Sequence, residues 1–115
     1  MAWFLGSRQP RPQMTPAELA RALAGPTPPV VLDVREPFEW RSGHIPGAKL
    51  ISLGQLPQHL ADLPRDKEIV AICRSGHRSM VACSRLAAEG FQVKNLAGGY
   101  LHWSGELQRP QQGVR

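Results

Sequence analysis

At 115 residues the chain holds one domain with a single core, and 42% hydrophobic residues exclude general disorder. Fourteen Lys and Arg against 9 Asp and Glu leave a net charge of +5, which suits a small anion or an acidic partner. The basic residues are scattered and the few aromatics do not interleave with them, so neither nucleic-acid binding nor, without a long apolar stretch, a membrane span is expected.

Residues 1–13 read as an N-terminal extension. Residues 1–6 lack the charged start and length of a secretory leader, and residues 7–13 are a polar, proline-rich connector. Thr15-Pro16-Ala17-Glu18 predicts a helix start: threonine caps, proline suits the first helical position, and glutamate closes a capping box. Leu19, Ala20 and Leu23 supply its apolar face, and Gly25-Pro26 stops it. Val30-Val31-Leu32 is a β-branched run that ends at Asp33 and predicts a buried strand. Glu36 to Ser42 predicts two helical turns, and residues 44–48 a turn-rich loop. Lys49-Leu50-Ile51 predicts a short strand, after which Ser52 is placed to cap a short helical segment in which Leu56, Leu60 and Leu63 share helical spacing. A strand over Glu68–Ile72, a helix over Met80–Glu89, a strand over Gln92–Leu96 and a short helix from Gly98-Gly99 through Trp103 complete the domain, predicted over 14–107. Residues 108–115 read as a flexible polar tail. Strands alternating with helices imply a mostly parallel sheet covered on both faces, with ligands bound at the carboxyl ends of its strands, where Asp33, Arg35 and Cys73 fall.

Cys73-Arg74-Ser75-Gly76-His77-Arg78-Ser79 joins an apolar strand to a helix. At that exposed helix start, backbone N–H groups without intrahelical acceptors, the positive end of the helix dipole, and Arg74 and Arg78 all favour a thiolate over a thiol. The loop is an anion cradle with a nucleophile at its floor.

Four segments in order resemble the rhodanese family of sulfurtransferases: Leu32-Asp33-Val34-Arg35-Glu36, Gly43-His44-Ile45-Pro46-Gly47-Ala48, the Cys73–Ser79 loop, and Leu96 to Trp103. The resemblance covers roughly Thr15 to Trp103 and implies an α/β fold, a rhodanese-like five-stranded, mostly parallel sheet with helices on both faces. Four residues separate Cys73 from Arg78, whereas the related phosphatases place one more there. The shorter loop suits a single terminal sulfur atom better than a tetrahedral phosphate.

On this resemblance Cys73 is the catalytic nucleophile, and Arg74, Ser75, Gly76, His77, Arg78 and Ser79 form the substrate-binding cradle. The expected reaction takes a sulfane sulfur from a small anionic donor such as thiosulfate onto Cys73 as a persulfide. Cyanide or a thiol acceptor then removes it, with no metal and no organic cofactor. Several roles have two readings. Arg78 bonds either a carboxylate that orients the loop or the substrate; Arg74 and His77 face the pocket mouth, His77 otherwise being solvated; Gly76 serves backbone geometry; Ser79 caps the helix or bonds substrate. Cys83 reads as a small core residue before a resolving thiol, Asp33 and Arg35 as a structural pair, His44 as a turn anchor, and Trp103 as a core aromatic. Two cysteines in a domain of this size point to a reducing, cytoplasmic setting. The rival readings are a relay that passes sulfur between protein persulfide partners, a phosphatase or arsenate reductase on the same cradle, and a non-catalytic binding module.

Overall fold

The structure is a computed structural model that describes residues 12–109. Most of the predicted connector and tail therefore lies outside the described residues. Five strands form one sheet in which every pairing is parallel: β1 (Gln13–Met14), β2 (Val30–Asp33), β3 (Lys49–Leu50), β4 (Ile69–Ile72) and β5 (Val93–Leu96), in the order β1-β5-β4-β2-β3. Among the described residues the helices are α1 (Pro16–Leu23), α2 (Pro37–Arg41) and α3 (His77–Ala88), with 3-10 segments at Leu53–Asp62 and Gly99–His102. No helix among the described residues is long and apolar enough to cross a membrane.

The central strand explains why the sheet is covered twice. All of Ile69-Val70-Ala71-Ile72 is buried, and alternate residues enter different cores. Ile69 and Ala71 join Leu32, Val34, Leu56, Ala82, Cys83 and Leu86 under α3 and the long 3-10 segment. Val70 and Ile72 join Met14, Leu19, Val31 and Leu96, with Tyr100 and Trp103 packed against them, on the side of α1. Cys83 is thus a buried core residue and Trp103 a half-buried aromatic against the sheet, as expected.

Most element bounds match the sequence reading to within a residue or two, and the differences have local causes. The connector does not run through residue 13: Gln13 and Met14 pair with Asn95 and Leu96 as the edge strand β1. Two residues of strand carry too little periodicity to be seen before folding. The α1 capping box forms, with the Glu18 N–H donating to Thr15 Oγ1 at 3.1 Å and the Thr15 N–H to Glu18 Oε1 at 2.8 Å. Ala20, assigned to the apolar face of α1, is exposed. Ser52 stands at the start of its helical segment but does not cap it; its hydroxyl donates to the Arg35 carbonyl at 2.8 Å. At the other end, Gln108 makes an antiparallel bridge to His44.

The chain leaves β2 through α2 toward β3 on one side, and leaves β4 through α3 toward β5 on the other. The crevice between the carboxyl ends of β2 and β4 is therefore the point where connections diverge, the usual place for a ligand in an open parallel sheet.

Candidate active site

Each side of that crevice carries one half of a polar frame. At the end of β2, the Asp33 carboxylate is fully buried and accepts from four donors: the Arg35 backbone N–H at 3.0 Å, Arg35 Nε and Nη2, and the Tyr100 hydroxyl at 3.0 Å. Such satisfaction is what makes a buried carboxylate tolerable. Arg35 also donates to the Gly43 carbonyl and lies 4.0 Å over the Tyr100 ring, so the pair braces the loop as expected. Burial first, and then the Asp33 carboxylate, raise the Tyr100 phenol well above its ordinary pKa. His44 anchors its turn through Nδ1 against the Trp40 carbonyl at 3.0 Å and stacks on the Trp40 ring.

At the end of β4, Cys73 opens the loop and Gly76 ends it. Gly76 has φ +105°, a left-handed conformation natural to glycine, and it caps α3. That turn aims the Gly76 N–H at Cys73 Sγ at 3.0 Å, and the Ser79 N–H reaches the same sulfur at 3.4 Å. The helix starts at His77, not Met80, so Ser79 lies inside the first turn and not at its cap. Its hydroxyl is buried 3.4 Å from Cys73 Sγ. Burial opposes ionisation of Cys73, but the N–H groups of Ser79, Gly76 and Ser75 hydrogen-bond the sulfur, and its pKa lies below the usual thiol value.

The sequence reading set this thiol at an exposed helix start; in the structure Cys73 is only 1% exposed. The loop wraps over the sulfur because its N–H donors must converge on it. The exposed members are Arg74, Ser75 and His77. Gly99 closes the cradle from behind: the short 3-10 segment approaches so nearly that a Cβ at Gly99 would lie within 2.6 Å of the Arg74 carbonyl oxygen and closer still to that of Cys73. Those two carbonyls accept from the N–H groups of Tyr100 and Leu101 at 2.9 and 3.0 Å.

Arg78 makes a two-pronged ion pair with Glu39 of α2, at 2.7 and 2.9 Å, and this ties the two sides of the crevice together. Of its two sequence readings, the structure shows the carboxylate contact. The Arg78 guanidinium holds the Glu39 pKa down to about 2. Glu39, Asn95, Tyr100 and the close approach of Gly99 escaped the sequence reading. A Gly98-Gly99 pair was the one visible hint of the last; Glu39 and Asn95 look like any helix-surface acid and any strand asparagine.

A cleft of about 630 Å³ is walled by Pro28, Pro29, Asp66, Glu68 and Gln92 near the amino ends of β2, β4 and β5, far from the thiol along the strands. Beside the loop lies a second cleft of about 420 Å³, lined by Arg35, Glu39, Arg74, Phe38, Leu101 and Leu107, the last three being exposed apolar side chains.

The profile of the rhodanese-like domain matches residues 15–106 of this chain. The chain belongs to the rhodanese-like family. Among its rhodanese-like relatives, YtwF of Bacillus subtilis, a candidate sulfurtransferase, is 45% identical over 78 residues, which cover 68% of this chain and 76% of that protein. A sulfurtransferase of Allochromatium vinosum is 36% identical over 87 residues, covering 75% and 81%. The crystal structure of a rhodanese-like domain protein from Staphylococcus aureus superposes with a TM-score of 0.83 at 31% identity, covering 87% of this chain and 99% of that one. The all-parallel five-stranded sheet with helices on both faces is the rhodanese fold expected from the sequence.

Proposed function

We propose that this rhodanese-like domain transfers sulfane sulfur through a persulfide on Cys73, with thiosulfate as a donor. The observation that carries the reading is the aim of the Gly76 and Ser79 N–H groups at one sulfur atom at the floor of the loop. Donors held by the backbone stabilise an anion at that point without having to reorganise. The Cys73 thiolate attacks the outer sulfur of thiosulfate; a new S–S bond forms, the old S–S bond breaks, and sulfite leaves with its electron pair. The outer sulfur of Cys73-S-S⁻ carries the negative charge. Cyanide then attacks that sulfur, thiocyanate departs, and the thiolate returns. Each half-reaction moves one sulfur atom, as a double displacement requires. Arg74 and His77, exposed on the loop, meet the anionic donor first, and Arg78, bound to Glu39, keeps the loop's shape.

A thiol acceptor has a place as well. Arg74 has no hydrogen-bond or ion-pair partner for its guanidinium among the described residues, and it lies on the cleft with Phe38, Leu101 and Leu107. An apolar thiol bearing a carboxylate fits that wall and that charge.

The test is thiosulfate:cyanide turnover, with intact mass read after thiosulfate alone. The expected result is thiocyanate together with a mass gain of about one sulfur atom that cyanide removes. Cys73→Ala should fold normally and show neither. Thiocyanate formed at the wild-type rate by that variant would end the mechanism.

A further inference from the structure

On the buried side of the thiol runs a chain of neutral polar groups that the steps above do not use. Ser79 Oγ, 3.4 Å from Cys73 Sγ, donates its proton to Asn95 Oδ1. Asn95 Nδ2 donates to Gln13 Oε1 at 3.1 Å, and Gln13 Nε2 reaches Met80 Sδ at 3.7 Å. Ser79 is fully buried and Asn95 is 3% exposed. The arrangement depends on the edge strand: Gln13 and Asn95 are register partners in the β1–β5 pairing, which brings the two amides together.

A hydroxyl has one proton. Directed at Asn95 Oδ1, it is not available to a thiolate, and the oxygen then offers the sulfur only lone pairs. Those suit an S–H donor and repel S⁻. The contribution of the Ser79 hydroxyl to thiolate stability is therefore withheld while Asn95 keeps this orientation, and the bond from Asn95 Nδ2 to Gln13 is what maintains it.

We propose that Asn95 is a positioning residue for Cys73: anchored by Gln13, it holds the Ser79 hydroxyl proton off the sulfur and restrains the nucleophile until the amide turns its N–H₂ edge toward Ser79. This rests on the reading of Cys73 as the sulfur-carrying nucleophile. After the turn, Asn95 Nδ2 donates to Ser79 Oγ and the hydroxyl donates to the sulfur. The anion then gains the hydroxyl as a donor beside the backbone N–H groups of Gly76 and Ser79. No proton passes along the chain; the thiol proton leaves to solvent, and the serine keeps its own. The charged and titratable groups around the sulfur are Arg78, paired with Glu39 of α2, and Arg74 and His77 on the exposed part of the loop, whereas β5 and β1 bring the neutral Asn95 and Gln13 to it.

The experiment is the pH dependence of Cys73 alkylation by iodoacetamide, with the modified peptide mapped so that Cys83 does not contribute. Asn95→Leu, similar in size and without polar atoms, should lower the midpoint by about one pH unit, raising alkylation below the midpoint by up to about tenfold. In a Ser79→Ala background the same substitution should leave the midpoint where it was, because Asn95 acts only through the hydroxyl. A role in packing alone would change stability and not this midpoint. Gln13→Leu, at an exposed edge position, should shift the midpoint in the same direction by less, and it decides the matter if Asn95→Leu fails to fold. A midpoint unchanged or raised, or an equal shift with and without the Ser79 hydroxyl, overturns the proposal. Alkylation needs no sulfur donor. A shifted midpoint in a protein that forms no thiocyanate would therefore refute the sulfur-transfer reading on which the proposal rests, while the restraint of the Cys73 thiol by Asn95 would be shown.

Discussion

Glu39→Gln tests whether the contact across the crevice holds the two sides of the site together. Glutamine keeps the side-chain oxygen that accepts from the Glu36 N–H at 3.0 Å, so the start of α2 is preserved while the charge opposite Arg78 is lost. A carboxyl held at about 2 in place of 4.5 corresponds to about 3 kcal/mol of linked stability at neutral pH. That figure is a ceiling. The side chain of Glu39 is 15% exposed but that of Arg78 is 36% exposed, and water screens a pair so placed. We expect a loss of about 1–2 kcal/mol. The folded-state pKa lies below the unfolded one, so this stability is fully present above about pH 4.5 and disappears as pH falls through about 2. Urea unfolding of the wild type and variant at several pH values reads it directly, with unchanged slopes showing that only stability moved. The difference between the two proteins should be largest at neutral pH and should shrink steadily below about pH 4.5. A gap as wide at pH 3 as at pH 7, or no gap at neutral pH, would refute the reasoning.

Gly99→Ala should be far more damaging than an ordinary surface change. Its φ of +61° disfavours any side chain, and the added carbon meets backbone oxygens of Cys73 and Arg74, which cannot rotate away. A loss of about 2–4 kcal/mol is expected in urea, with the alkylation rate of Cys73 altered because the loop must shift; a wild-type unfolding midpoint would show that the approach is looser than described. Phe38→Ser with Leu101→Ser removes the wall of the cleft beside Arg74 at positions that are 68% and 57% exposed, so folding should be unaffected. For dihydrolipoate, an apolar dithiol with one carboxylate, kcat/KM should fall about tenfold while cyanide turnover stays constant; equal losses for both acceptors would place acceptor binding elsewhere.

The parts of the site that were legible in the sequence are those written in contiguous residues. The Cys73–Ser79 loop announces itself because a strand, a turn glycine and a helix start lie in one stretch, and the donors that hold the sulfur are backbone atoms of that stretch. Asp33 and Arg35 are two residues apart, and their pairing was foreseeable for the same reason. The four apolar runs identified four strands, and their alternation with helices implied a mostly parallel sheet, because each helix carries the chain back to begin the next strand in the same direction. The capping box of α1 was readable since it involves atoms three residues apart.

Tertiary structure decided whatever depends on pairing between distant segments. Arg78 had two plausible partners on paper, and only the folded chain brings Glu39 of α2, 39 residues away, to it. The two residues of β1 carry no pattern of their own; they become a strand because β5 offers an unpaired edge, and with it Gln13 arrives beside Asn95. Cys73 looked exposed because a helix start usually is, yet the return of the chain at Gly99 and the folding of the loop over its own sulfur bury it. Local chemistry is set by neighbours along the chain, whereas exposure and hydrogen-bond direction are set by neighbours in space. The nucleophile was therefore visible before folding, and what restrains it was not.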